Sequence, residues 1–169
     1  TGSRDGLKFY QKILFQIALG LLLGYFIFRR GEEAFHGSGQ SEFYRILSLP
    51  FIKGDLENPI LLPIWAFMIC TILVVAGTSN AVNLTDGMDG LASGCVAMCC
   101  FVFMLLAWAV GTESVARYLL IHHIPQVGEL AVLCGAMMGA CLGFLWYNCH
   151  PAQVFMGDTG SLPLGGLIG

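Results

Sequence analysis

The stretch Asn80-Ala-Val-Asn83-Leu-Thr-Asp86-Gly87-Met-Asp89-Gly90-Leu-Ala92 decides how this chain is read, because it is a polar knot between two long uncharged runs, Ile60 to Thr78 and Leu91 to Val110. Its polar members fall at 80, 83, 86 and 89, three apart. In a helical or 3₁₀-like turn such residues share a face, so the spacing predicts that two amides and two carboxylates converge on one point. The glycine after each aspartate allows a tight turn or a close approach to a ligand.

The flanking runs take their meaning from composition. Of 169 residues, 56% are hydrophobic and only 11% charged, with a mean hydropathy of +0.74. Soluble domains carry about 25% charged residues, so the runs read as membrane spans and not as buried core helices. Four such spans cover about 9–28, 60–78, 91–110 and 130–147, and a fifth apolar run starts at Leu162. The expected fold is therefore an all-α integral membrane bundle in one transmembrane domain, with site loops at 79–90 and 148–161. Lys12 lies inside the first span, where its long stem can snorkel to the interface. Arg29-Arg30-Gly-Glu-Glu follows that span in place of a small-residue cleavage site, which argues for a membrane helix over a signal peptide. Residues 162–169 are too few to cross a bilayer, so the last segment is expected to be re-entrant or the chain an internal fragment.

Between the spans the signals are weaker. Residues 29–59 form the longest polar interval, and Phe43 to Ile52 suits either a short strand pair or an interfacial helix. Residues 111–129 read as a connection, with His122 and His123 as loop residues. Small residues at 92, 93, 94, 95 and 97, and glycines at 135, 139 and 143, predict close helix contacts. The seven cysteines sit in or beside apolar runs with no C-x-x-C pair, so they read as packing residues and not as a disulfide framework or metal site. A net charge of −3 excludes the basic face that a nucleic-acid partner requires.

A second knot, Asn148-Cys-His-Pro-Ala-Gln-Val-Phe155-Met-Gly-Asp158-Thr-Gly-Ser161, lies two complete spans after the first. Two crossings return the chain to the same side of the membrane, so both knots can build one site. Counting cations gives Arg4, Lys8 and Lys12 on the knot side against Arg29, Arg30, Arg45, Lys53 and Arg117 on the other. Taken literally, that count places the knots outside the cytoplasm.

Neither knot contains a lysine or arginine, yet together they hold Asp86, Asp89 and Asp158. Three carboxylates without a cation repel one another unless a metal joins them, and an oxygen-rich ligand set favours Mg²⁺ or Mn²⁺ over zinc. A phosphate substrate would then be bridged by the metal. Asn148 and Phe155 add an amide to read a base edge and a ring on which a base can stack, both suited to a nucleotide. The plainer alternatives are that Asn-Asp-Gly clusters only form turns and that Phe155 only packs.

These two strings resemble the signature loops of the phospho-N-acetylmuramoyl-pentapeptide transferases, within the polyprenyl-phosphate N-acetylhexosamine-1-phosphate transferase superfamily. The resemblance implies a Mg²⁺-dependent enzyme of peptidoglycan synthesis in the bacterial cytoplasmic membrane, with its site loops facing the cytoplasm. Its partners would be UDP-MurNAc-pentapeptide, undecaprenyl phosphate and the lipid bilayer, with a homodimer as one arrangement, and its products lipid I and UMP. Carried over by residue, Asp158 would be the metal ligand and, with Asp86, catalytic. Asn83 and Asp86 would line the phosphate and ribose region, and Gly87, Asp89, Asn148 and Phe155 the uridine pocket. The chain departs from the family pattern in lacking an Asp-Asp-x-x-Lys motif before the first span and a histidine-rich loop near the C-terminus. Met88 and Pro163 stand where Leu and Ala are usual, which is expected to be tolerated. The resemblance therefore implies a fragment that is inactive alone. A sister transferase using UDP-GlcNAc, and a transporter whose aspartates only bind ions, are the alternatives.

Overall fold

The computed structural model describes residues 9–35, 45–47, 60–121, 123–124 and 126–169. The chain divides into two compact units, residues 1–77 and 78–169. In the first unit, helix α1 (Phe9–Phe35) runs past the expected end of its span. The reason lies in Arg29 and Arg30, whose guanidinium groups sit 3.8 and 4.0 Å from Glu33 at helical i,i+4 and i,i+3 spacing. Such pairs let a helix continue into a polar interval. Arg30 also lies over the Phe26 ring, 5.3 Å from its centroid. Strands β1 (Ile46–Leu47) and β2 (Ile60–Leu61) pair antiparallel, with Ile46 opposite Leu61 and Leu47 opposite Ile60. Of the segment 43–52, read above as a strand pair or an interfacial helix, residues 45–47 are described and supply β1, whereas the rest lies outside the described residues and β2 comes from residues that hydropathy assigns to the second span. Pro63 separates β2 from helix α2 (Ile64–Thr85), and its carbonyl accepts from the Phe67 N–H at 3.0 Å.

Two glycines of α1 set its approach to the first half of α2. A Cβ on Gly20 would lie 2.8 Å from the Ile72 Cα, and one on Gly24 2.8 Å from the Met68 sulfur. Arg4, Lys8 and Lys53, used above to count cations, lie outside the described residues, as does His122.

In the second unit, the last turns of α2 lead into α3 (Leu91–Gly111), short α4 (Glu113–Leu119), α5 (Gly128–Asn148) and α6 (Asp158–Ile168). Helix α4 forms where only a connection was expected, closed by an Arg117–Glu113 pair at 2.7 Å. His123 is a loop residue, its Nε2 3.3 Å from the Gly111 carbonyl oxygen. Helices α3 and α5 pack side by side around Val96, Ala97, Cys100 and Cys141, flanked by Met137 and Met138. Of the small residues noted on α3, Ala92, Ser93 and Ala97 are buried, whereas Cys95 is exposed. On α5, Gly135 faces the Met104 sulfur, but a Cβ on Gly139 or Gly143 would meet nothing within 4 Å. The four-residue glycine spacing therefore marks one contact on the described helices and not a continuous seam.

Four helices among the described residues are long and apolar enough to cross a membrane: Tyr10–Glu33, Ile64–Thr85, Leu91–Gly111 and Gly128–Asn148. Their large apolar side chains, among them Leu14, Leu73, Val132 and Trp146, are exposed, as a multi-pass membrane protein requires of its lipid-facing surface. Helix α6 continues through Pro163 and crosses the end of α2 closely: a Cβ on Gly165 would sit 2.5 Å from the Thr78 carbonyl oxygen and 2.6 Å from the Ser79 Cα.

Both neighbours of Gly165 are backbone and cannot swing aside. Gly165→Ala is therefore expected to destabilise the protein by about 1–3 kcal/mol in thermal unfolding in detergent. Gly139→Ala, with open space at its Cβ, is expected to be neutral or stabilising by up to about 1 kcal/mol. Equal effects of the two would refute the close α2–α6 crossing.

Candidate functional site

The site begins where α2 ends. Helix α2 runs to Thr85, so Asn80 and Asn83 stand on its last turns and not in a loop. The chain then turns through residues 86–90, with the Asp86 N–H donating to the Asn83 carbonyl at 3.3 Å. Because the helix stops there, the four polar residues do not form one continuous face. Gly90 closes the turn at φ 75°, the left-handed region that favours glycine, and Leu145 Cδ1 would lie 3.0 Å from a Cβ there. Gly87 shows no such constraint, its nearest obstacle being the Leu84 carbonyl oxygen at 3.9 Å.

The second knot folds back on α5. The N–H groups of Gln153 and Val154 both donate to the Tyr147 carbonyl, at 2.9 and 3.3 Å. At its far end Gly157 adopts φ 66° and ψ 176°, a conformation open essentially to glycine alone. That turn starts α6 at Asp158, four residues before the apolar run, and places a carboxylate at the positive end of the helix dipole. Where lysine and arginine are absent, this dipole is the electropositive element the backbone itself supplies. The abrupt Gly-Asp step was its signal in the sequence.

Three sets of hydrogen bonds join the knots. The Asn83 Nδ2 donates to Asp158 Oδ1 at 2.7 Å and to Ser161 Oγ at 2.9 Å. Asp89 Oδ2 accepts from the Ala152 N–H at 3.2 Å and lies 3.2 Å from His150 Nδ1. Asn148 is only 4% exposed and engaged at both ends of its amide. Its Oδ1 accepts from the Gly90 N–H at 3.1 Å and lies 3.2 Å from Ser93 Oγ, while its Nδ2 donates to the Val154 carbonyl at 2.8 Å. Asn148 thereby ties the start of α3 to the residue before Phe155, which is 73% exposed.

The two knots do meet, but the aspartates are shared out. Asp158 belongs to the Asn83 group and Asp89 to the His150 group, and Asp86 is half-buried in the turn between them. Among the described residues no three His, Cys, Asp or Glu side chains gather as a ligand set. Mutual repulsion of three carboxylates is therefore not what calls for a metal here. The donor chemistry still suits Mg²⁺, which is commonly held by one or two carboxylates and completed by substrate phosphates and water. An exposed Asp158 beside the Asn83 amide offers such a partial set. Ser93, His150 and Ser161 belong to the site although their types alone do not announce it, since serine and histidine also occur in ordinary turns.

The chain is similar in sequence to known proteins. The family described as glycosyl transferase family 4 matches residues 4–169. A phospho-N-acetylmuramoyl-pentapeptide-transferase of Desulfotalea psychrophila is 44% identical over 170 residues, covering 99% of this chain and 43% of that protein. One from Opitutus terrae is 45% identical over 173 residues, with the same two coverages of 99% and 43%. One from Thermodesulfovibrio yellowstonii is 55% identical over 124 residues, 73% of this chain and 33% of that protein. The chain thus spans less than half the length of these relatives.

Removing the Asn148 side chain strands the Gly90 N–H and the Val154 carbonyl. Asn148→Ala is expected to cost about 1–3 kcal/mol for each group left unpaired, read as a lower unfolding midpoint in detergent. Asn148→Asp keeps the acceptor for Gly90 but turns a buried oxygen on the Val154 carbonyl, so it should be no less damaging. A stable Asn148→Asp would contradict the bonding described.

Proposed function

The chain belongs to glycosyl transferase family 4, and from that premise we propose that its joined loops serve a phospho-N-acetylmuramoyl-pentapeptide transferase. The reaction moves phospho-MurNAc-pentapeptide from UDP-MurNAc-pentapeptide to undecaprenyl phosphate, giving lipid I and UMP. Relatives of that name match 99% of this chain. The observation that carries the reading is the Asn83–Asp158 hydrogen bond of 2.7 Å, which brings the two knots together at the ends of membrane-length helices. A lipid phosphate and a soluble nucleotide can meet only at such a membrane boundary, and the loops are proposed to face the cytoplasm, where the nucleotide is.

Each residue has a part that its surroundings suit. Asp158, held by Asn83 at the start of α6, would bind Mg²⁺, with Mn²⁺ as a substitute. When bound, that ion supplies Lewis-acid neutralisation of pyrophosphate charge. The α6 dipole adds to the same field. Asn83 and Asp86 line the ribose and phosphate region. Gly87, Asp89, Asn148 and Phe155 form the uridine pocket, where the uncovered Phe155 ring is free to stack on the base. Asn148 serves that pocket by fixing Val154, since its own amide is already engaged. Asp89 is likewise set by the Ala152 N–H, which leaves its carboxylate oriented before substrate arrives.

In the full-length protein, Asp158→Asn is expected to lower UMP release from UDP-MurNAc-pentapeptide at least about 100-fold, the several kcal/mol that metal-assisted charge stabilisation supplies. Phe155→Leu should mainly raise KM for the nucleotide. Near-normal UMP release by Asp158→Asn would refute the metal role, and transfer from UDP-GlcNAc alone would refute the substrate.

A further inference from the structure

The hydrogen bonds around Asn83 allow its protons to be counted. Ser161 is fully buried at 0% exposure, and its Oγ lies 2.9 Å from Asn83 Nδ2 and 3.1 Å from the Gly157 carbonyl oxygen. A serine hydroxyl has one proton, and a carbonyl has none to give. The Ser161 proton is therefore committed to Gly157, and its oxygen faces Asn83 only as an acceptor. Asp158 Oδ1, 2.7 Å from the same nitrogen, is also an acceptor when its carboxylate is ionised. Two acceptors at one end of the Asn83 amide can be satisfied only by its NH₂ group, which has two protons for two partners. A flipped amide would set an oxygen against both.

From this count we infer that Ser161 is a positioning residue. It holds the Asn83 amide one way round, so that the carbonyl oxygen and never the N–H groups meets the ligand. Asn83 Oδ1 has no hydrogen-bond partner among the described residues, in keeping with that role. Resting on the function proposed above, this sharpens the part of Asn83. It can accept from a ribose hydroxyl or lend an oxygen to a hard cation, but it cannot donate to a phosphate oxygen. The first turn of α6 is part of the device, because the Gly157 carbonyl that accepts the Ser161 N–H at 3.0 Å also takes the Ser161 hydroxyl.

A double-mutant cycle on the full-length protein tests this. Ser161→Ala is expected to lower kcat/KM about 10–100-fold, the usual effect of losing a partner that orients a ligand-binding group. In an Asn83→Ala background the same change should cost less than about threefold, because the group it orients is gone. Mn²⁺ titration followed by electron paramagnetic resonance, without substrate, distinguishes the two ligands. Weaker Mn²⁺ binding by Ser161→Ala assigns the Asn83 oxygen to the cation, whereas unchanged Mn²⁺ binding with a raised nucleotide KM assigns it to a hydroxyl. Should Ser161→Ala not assemble, Ser161→Cys, of similar bulk and with a weak donor, takes its place in the cycle. Multiplying losses in the double mutant, or unaltered kinetics in Ser161→Ala, would overturn the inference. A wild-type protein that releases no UMP would instead overturn the proposed reaction.

Discussion

A polar group at the end of an apolar helix must find a partner in the protein or in water, and near a bilayer the first is the more dependable. The end of α2 meets this demand along one face. Ser79 donates to the Leu162 carbonyl at 2.9 Å, and one turn further on Asn83 donates to Asp158 and Ser161. Beyond the Ser79 bond, on the side away from Asn83, Gly165 lets the α6 backbone come against Thr78 and Ser79. The contacts succeed one another at helical spacing on both partners, so they act as one seam. The position of Asp158 depends on it, because a carboxylate on the first turn of α6 moves with that helix.

The same seam changes what the absence of cations means. Three aspartates and no lysine or arginine suggest a self-repelling cluster waiting for a metal. In the folded chain, hydrogen-bond donors from the opposite knot take up much of that demand: the Asn83 amide at Asp158, and the Ala152 N–H and His150 at Asp89. Asp158 is thus oriented by a neutral amide, and Asp89 by a backbone N–H beside an imidazole. On the proposed function, the affinity of a divalent cation would come from one oriented carboxylate together with the phosphates of the substrate.

Much of the fold was legible because a bilayer makes a severe filter. Uncharged runs of about 20 residues have few alternatives, and each of the four predicted spans falls on a helix of membrane length. Helix ends were less legible for a related reason. Hydropathy reports where the lipid is, whereas a helix stops where its backbone bonding stops. So α1 continues through Arg29, Arg30 and Glu33, and α2 gives up Ile60 and Leu61 to a strand but gains Asn80 and Asn83. The coming together of the knots followed from counting crossings. Which atoms meet did not, because the pairing of Asn83 with Asp158 depends on the Gly157 turn and on a crossing set by Gly165. Neither conformation is written in residue type alone.

Two asparagines show how burial separates roles that sequence leaves equal. Both lie within a polar knot, and either amide suits a nucleotide. Asn148 is buried, and both ends of its amide are engaged with Gly90, Ser93 and Val154. A ligand competing for that amide would have to break bonds that hold α3 to the loop, at a cost of about 1–3 kcal/mol for each group stranded. Among the described residues, Asn83 has partners only at its nitrogen. The gain from ligand contact is therefore greater at Asn83, and the gain from rigidity greater at Asn148. Phe155 completes the contrast, since its ring is uncovered while the residue before it is tied down. On the proposed function, an open ring beside a fixed backbone is what stacking on a base would require.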